Sequence, residues 1–286
     1  MNSVVSIGTP PWTREEMVEH LDEFINLYSQ RPVKSNEGGM KTPHMFATWF
    51  MVKKLNPDLI VESGVWKGQG TWLLEQACPD ARIVSIDLNL GYREYISEKV
   101  EYSDNDFSEQ DWTGVTDRSL AFIDDHQNAY KRLQQCKWFG FKNIIFEDNY
   151  PASQGDCYSL KKAFANAGFE PYPNAPKKSK APSFTSRAIK KSARVLGLNT
   201  VQLTPQYEAV NITPNEVDSK MLYKHLDTYF EFPPIYKPAK TRWNDDWTDE
   251  NYPTPEPLLK DPVESKFQTY VDEAELYTWI AYAKLK

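Results

Sequence analysis

Leu59-Ile60-Val61-Glu62-Ser63-Gly64-Val65-Trp66-Lys67-Gly68-Gln69-Gly70-Thr71 joins two periodicities in one short stretch. Leu59 to Val61 is an apolar run of strand length, and Trp72, Leu73, Leu74 and Ala77 beyond the turn recur at helical spacing. Glycines between a strand and a helix let the backbone approach a ligand closely, and the helix start offers free N–H groups. The spacing is G-x3-G-x-G, not the dinucleotide G-x-G-x-x-G. Glu62 ends the strand. A carboxylate there repels a pyrophosphate and suits a cationic amino acid moiety.

The same alternation extends outward. Arg82 to Ile86 reads as a strand ending at Asp87, where a carboxylate can accept both hydroxyls of a ribose. Leu120 to Ile123 ends at Asp124-Asp125 and leads into a helix from Gln127 to Phe139, and Asn143 to Phe146 ends at Glu147-Asp148. Strands alternating with helices at this pitch predict an α/β fold: a Rossmann-like, doubly wound, mostly parallel sheet with helices on both faces. Upstream, Thr13 and Glu16 have capping-box spacing for a helix running to about Gln30, and a second helix should cover Pro43 to Leu55. Downstream, a helix is expected from Asp156 to Gly168 and a closing strand within Tyr277 to Leu285, with weaker helical patterns at Ser183 to Leu196 and Asn215 to Tyr229. Most of the prolines fall between Pro171 and Pro262. The expectation is one domain over residues 1–286, with a core at about 43–170, a Pro-rich insertion or substrate region at 171–262 and closing elements at 263–286.

Composition narrows the class. The 286 residues are 40% hydrophobic and 26% charged, which excludes bulk disorder, and a chain this long can bury a core without staples. No apolar run approaches the ~20 residues of a membrane span, and no signal core stands near the start, so a cytoplasmic protein is expected. The three cysteines lack paired spacing. A net charge of −7 conceals a run of seven basic residues from Lys177 to Arg194 with no acid among them. That run can hold a polyanion or can simply be a solvated insertion.

The second constellation is the pair of acidic strand ends. Adjacent parallel strands lie ~4.8 Å apart, so Asp124-Asp125 and Glu147-Asp148 become neighbours at the edge where open α/β sheets bind ligands. Crowded carboxylates repel unless one is protonated or a cation intervenes, and a hard divalent ion answers that need.

Glu62, the three glycines and Asp87 resemble motif I and the acidic position after it in class I S-adenosylmethionine-dependent methyltransferases. The resemblance implies that Glu62, Ser63, Gly64, Gly68 and Gly70 surround the methionine part of S-adenosylmethionine, that Asp87 holds the ribose, and that Asp106 and Phe107 lie near the adenine. Phe122-Ile123-Asp124-Asp125-His126 with Ile144-Ile145-Phe146-Glu147-Asp148 is similar to the metal site of one branch. That branch contains cephalosporin-hydroxylase-like proteins and rhamnosyl and macrolide sugar O-methyltransferases. By position it implies Mg2+ or another divalent cation on Asp125, Glu147 and Asp148, with Asp125 and His126 catalytic. The similarity spans roughly Leu59 to Pro151, and His126 departs from the branch pattern, where the histidine comes one position later.

Some residues keep two readings. His126 serves as a general base or as a helix-start residue bonded to a carboxylate, His44 borders the cofactor entrance or is a surface histidine, and Asp124 is the acid most readily explained as structural. Trp243, Asp245, Asp246 and Trp247 can bind a sugar or pack. The expected activity is O-methylation of a hydroxyl on a sugar or glycosylated metabolite, with a small-molecule or glycan substrate, no membrane or nucleic-acid partner, and room for a homo-oligomer. A cephalosporin-hydroxylase-like or nicotinamide-dependent enzyme, and a cofactor-binding scaffold whose basic run holds a polyanion, are the alternatives.

Overall fold

The computed structural model describes residues 4–169, 213–214 and 216–286. The basic run Lys177 to Arg194, the helix expected at Ser183 to Leu196 and the expected helix start at Asn215 lie outside the described residues.

Seven strands form one sheet: β1 Leu59–Ser63, β2 Arg82–Ile86, β3 Val100–Ser103, β4 Ser119–Ile123, β5 Asn143–Phe146, β6 Leu226–Glu231 and β7 Ala281–Leu285. Their order is β3-β2-β1-β4-β5-β7-β6, with β1 to β5 mutually parallel and β7 antiparallel to both neighbours. This is the doubly wound sheet the alternation predicts. Strand order reverses between β1 and β4, and in open α/β sheets the crevice outside the carboxyl ends at such a switch point is where ligands bind.

The strands alternate between two buried layers. Ile60, Leu120, Phe122, Ile145 and Tyr282 face one cluster, whereas Leu59, Val61, Ala121, Ile123, Ile144 and Phe146 face the other. The first layer is covered by helices α1 Arg14–Glu19, α2 Leu21–Tyr28, α3 Thr42–Leu55 and α4 Gln69–Ala77, together with residues from 267 to 282. The second is covered by α5 Ala129–Phe139, α6 Leu160–Phe164 and α7 Glu216–His225. Within the described residues no helix is long and apolar enough to cross a membrane.

Several boundaries depart from the sequence pattern. Thr13 and Glu16 form the expected capping box, but the helix expected up to Gln30 breaks at His20 into α1 and α2. The helix expected from Asp156 starts only at Leu160. Ser159 caps it by accepting the Lys162 N–H, while Asp156 is drawn off to His126. The helical pattern after Asn215 ends at His225, and Leu226–Glu231 becomes strand β6 because it pairs with β7 and lies under Phe164. The sheet therefore takes a strand from the span read as insertion. Lys41 gives α3 no side-chain cap; instead the Glu273 carboxylate accepts from the Thr42 N–H and hydroxyl, both at 2.9 Å. A C-terminal residue thus fixes the start of the helix that carries His44.

Candidate functional site

The ladder hydrogen bonds continue one step past the strands. Gly64 N–H donates to Ile86 O, Asp124 N–H to Ser63 O and Glu147 N–H to Ile123 O, which sets the glycine-rich turn and both acidic strand ends side by side. Gly64 adopts φ 103°, and a Cβ there would collide with the Asp124 carbonyl oxygen, so no other residue fits. All three N–H groups received by Asp87 are backbone: Val65 and Trp66 on one oxygen and Asn89 on the other. Asp87 thus holds the turn in shape from the end of β2.

A crevice opens between this turn and the 36–40 loop, bordered by Asn36, Met40, Glu62, Gln69, Gly70 and Asp124. The loop is tied to the turn by Trp66 Nε1–H on Glu37 O and Lys67 Nζ on Ser35 O. Three polar atoms here are buried with no hydrogen-bond partner among the described residues: Glu62 Oε1, Asn36 Oδ1 and Gln69 Nε2. Their other ends are committed. Glu62 Oε2 accepts from Thr71 at 2.6 Å and Ser85 at 2.5 Å, Asn36 Nδ2 donates to Met40 O, and Gln69 Oε1 accepts the Val33 N–H. These contacts also fix which end of each amide faces the crevice. Full burial pushes the Glu62 carboxyl up to about 7 despite its two hydroxyl donors. A Cβ on Gly70 would lie 2.5 Å from Glu62 Oε1, so the glycine is what leaves that oxygen open.

The acids after β4 and β5 have a different character. Asp125 Oδ2 accepts from Ser63 at 2.6 Å and Arg132 Nε at 2.8 Å, and Oδ1 accepts the Gln127 N–H. Arg132 also grips both oxygens of Asp106, whose carboxyl its hydrogen bonds hold well below the usual range against the effect of burial. Glu147 Oε1 lies 2.5 Å from His44 Nδ1; His44 Nε2 accepts the Thr278 N–H, so Nδ1 carries the proton and donates. Burial alone would raise Glu147, yet its histidine neighbours hold it down at about 2. His44 is 2% exposed, which corrects its reading as a surface histidine.

What remains is a trio: one ligand atom each from Asp124, His126 and Asp148 lies within 4.8 Å of the others. Burial, then repulsion from Glu147 and further acids, raises both Asp124 and Asp148 well above the carboxylate range. His126 sits at φ 52°, the left-handed region, with Nδ1 2.9 Å from Asp156 and Nε2 3.3 Å from Asp148. Burial lowers His126, but Asp148 and Asp156 outweigh it and lift the imidazole to about 10.

The structure therefore brings Glu62, Gly64 and Gly70 together at the crevice, and Asp148 with His126 in the trio, while the Ser63 hydroxyl donates to Asp125 instead. It turns others away. Asp125 is occupied by Arg132 and Ser63, and Asp124, read from sequence as structural, takes the facing position. Asp106 is committed to Arg132, and Phe107 is fully buried against Trp112, Phe139 and Phe141, so neither faces the crevice. Gly68 meets the Tyr95 carbonyl rather than the crevice. Asn36 and Gln69 escaped the sequence reading because nothing local marks them. Asp245 accepts from Tyr252 and Gln154, and Trp247 is buried against Tyr277 and Trp279, which makes that cluster packing. Trp243, stacked on Trp279, stays half-exposed beside Tyr150.

No family model and no curated protein matches the chain. Among solved structures it is similar to a cmcI structure with SAH at 19% identity, covering 38% of this chain and 56% of that one, with a TM-score of 0.32. A cmcI structure with Mg-SAM gives 21% identity, 37% and 52% coverage and a TM-score of 0.29. The SAH-bound methyltransferase PaMTH1 of Podospora anserina gives 12% identity, 100% and 91% coverage and a TM-score of 0.43. The chain spans just over half the length of the two cmcI chains it matches. Likenesses this shallow leave the function to the geometry of the site.

Proposed function

We propose that the chain is an S-adenosylmethionine-dependent O-methyltransferase whose acceptor is a hydroxyl of a sugar or glycosylated metabolite. The observation that carries this is the set of three unpartnered polar atoms at the switch point. Two acceptors, Glu62 Oε1 and Asn36 Oδ1, suit an ammonium, and one donor, Gln69 Nε2, suits a carboxylate. An amino acid end satisfies all three, whereas a pyrophosphate would meet two acceptors, one of them a buried acid. S-adenosylmethionine has such an end and, when bound, supplies an electrophilic methyl.

The chain's own part is placement. The glycine-rich turn, held by Asp87, orients the ligand, and the Gly38-Gly39 loop must lift Met40 to admit it. Asp124 borders both the crevice and the trio, so a hydroxyl held there stands next to the cofactor pocket. Burial and mutual repulsion raise the Asp124 and Asp148 carboxyls well above the ordinary range, so whichever of the two is ionised is the stronger base toward that hydroxyl while its protonated neighbour can donate to it. Collinear holding of acceptor oxygen and methyl supplies most of the rate. The half-exposed Trp243 face beside Tyr150 supports a sugar acceptor, since C–H faces of a pyranose pack on aromatic rings. Asp125, Glu147 and Asp148 stand at the same carboxyl edge and are the residues that would hold Mg2+ or another divalent cation; Asp125 and Glu147 are also engaged by Arg132 and His44, and no step is routed through the ion.

Calorimetric titration with S-adenosylhomocysteine and with NADH tests the reading. S-adenosylhomocysteine should bind and NADH should not. Glu62→Gln and Gly70→Ala should each weaken S-adenosylhomocysteine by about 10- to 100-fold, the worth of one charge-assisted hydrogen bond, with thermal stability kept in Glu62→Gln. Binding of NADH, or indifference to both substitutions, would overturn it.

A further inference from the structure

We infer that the cleft between α5 and α7 is a second binding site, apart from the crevice, for a small amphipathic anion: a carboxylate on an apolar body of two fused rings. The inference needs neither the cofactor nor the acceptor of the proposed function.

Tyr130, Leu133 and Lys137 share one face of α5 at i, i+3 and i+7, and Met221 and His225 share one face of α7 at i and i+4. These two faces and Leu285 of β7 enclose a cavity of about 240 Å³ whose walls are mostly apolar. An apolar cavity of about 150 Å³ takes up benzene, so this one has room for a second ring. Tyr130 and Lys137 stand ~10 Å apart along the helix at 1.5 Å per residue, long enough for such a body to lie beside α5.

The two ends of the cleft differ in charge. At one end Lys137 Nζ donates to His225 Nδ1 at 3.0 Å, and Lys286 Nζ donates to the Lys224 carbonyl oxygen at 2.7 Å. Burial, then Lys137, Lys224 and Lys286, push the His225 imidazole below its ordinary value, so three ammonium groups act on one point. Among the described residues none of these three lysines forms an ion pair, whereas Lys142, Lys220 and Lys284 on the same or adjoining elements each reach a carboxylate. The carboxyl ends of α5 and α7 account for only part of the charge. Each helix end carries about half a negative charge, so the two take up about one of the three positive ones. At the other end Tyr130 lies near Asp218, whose carboxylate accepts from Tyr158 at 3.0 Å. An anionic head is therefore drawn to Lys137 and kept from Tyr130, with its apolar body between Leu133, Met221 and Leu285.

The probe is 2-naphthoate, titrated into the full chain carrying methionine labelled with carbon-13 at the methyl group and read by NMR and calorimetry. Saturable binding should shift the Met221 methyl signal, identified by its loss in Met221→Leu. The neutral counterpart 2-naphthalenemethanol should bind about tenfold more weakly or worse. Lys137→Glu, at an exposed position, should weaken 2-naphthoate about tenfold or more and leave the alcohol unchanged. Met221→Trp should fill the cavity and abolish binding of both, and Lys137→Glu decides the matter should that variant fail to fold. Absence of saturable binding, equal affinity for the alcohol, or 2-naphthoate affinity unchanged in Lys137→Glu would overturn the inference. So would competition between 2-naphthoate and S-adenosylhomocysteine, which would place the probe in the crevice instead.

Discussion

The crevice beside β1 and the acidic cage beside β4 and β5 share one edge of the sheet, yet they handle buried polarity in opposite ways. In the crevice, Glu62, Asn36 and Gln69 each commit one end to the protein and leave the other without a partner among the described residues. In the cage, most charges are already answered: Asp125 and Asp106 by Arg132, Glu147 by His44, and Asp156 by His126. A buried polar atom without a partner costs about 1–3 kcal/mol, so a fold that keeps three in one crevice holds them against a ligand that repays the cost. Internally paired acids instead hold the scaffold that positions that ligand.

The largest expected effect breaks the paired side. Arg132 is 5% exposed and is the cation shared by Asp106 and Asp125. Arg132→Ala leaves two carboxylates facing each other without it and should destabilise the fold by about 3–5 kcal/mol, read as a drop in Tm of roughly 10 °C. S-adenosylhomocysteine affinity of the protein that remains folded should change far less. If the substitution leaves Tm unchanged, the cage is not held by its internal pairs and the contrast drawn here is wrong.

A smaller effect sharpens the unpaired side. Burial places the Glu62 carboxyl near about 7, above its ordinary value. Between the unfolded and folded values the native state holds the extra proton. Stability from this group is therefore full at acidic pH and declines as pH rises toward about 7. Binding an ammonium requires the ionised form, so affinity for S-adenosylhomocysteine should move the other way. It should rise by up to about tenfold per pH unit below that value and level off above it. Calorimetry across pH 5.5 to 8 should show this climb in the native chain and a flatter profile in Glu62→Gln. A slope of opposite sign would mean that Glu62 binds its ligand protonated.

The strand-turn-helix at Leu59 to Ala77 and the parallel strands at 82, 120 and 143 were legible because hydrophobic period and glycine placement are local. Strand β3 was not, because Val100 alone is buried in it and its remaining residues read as loop. Strand β6 follows α7 with no turn residue between His225 and Leu226, so only pairing with β7 distinguishes it from more helix. The site shows the same limit at finer grain. Glu62 announces itself by its place at the end of a strand, but Asn36 and Gln69 acquire meaning only when the 36–40 loop folds over the turn. Asp124 and Asp125 are adjacent, and one step along an extended chain points a side chain the other way. Which of them faces the cage depended on Arg132, seven residues on, reaching back to Asp125.

That choice between adjacent acids supplies the subtlest test. Asp124 shares its surroundings with Glu147, Asp148 and Glu62, and among the described residues no paired cation relieves it as Arg132 relieves Asp125. Its carboxyl is raised well above the ordinary range, so near neutral pH the native state keeps a proton that the unfolded chain gives up, and unfolding is favoured by that difference. Asp124→Asn removes the ionisation while keeping the shape. In chelator the variant should be more stable, read as a rise in Tm of a few degrees, with the gain growing from acidic to neutral pH. A variant less stable than the native chain in chelator would show that Asp124 is paired after all, and the cage would then hold no unanswered charge to set beside the crevice.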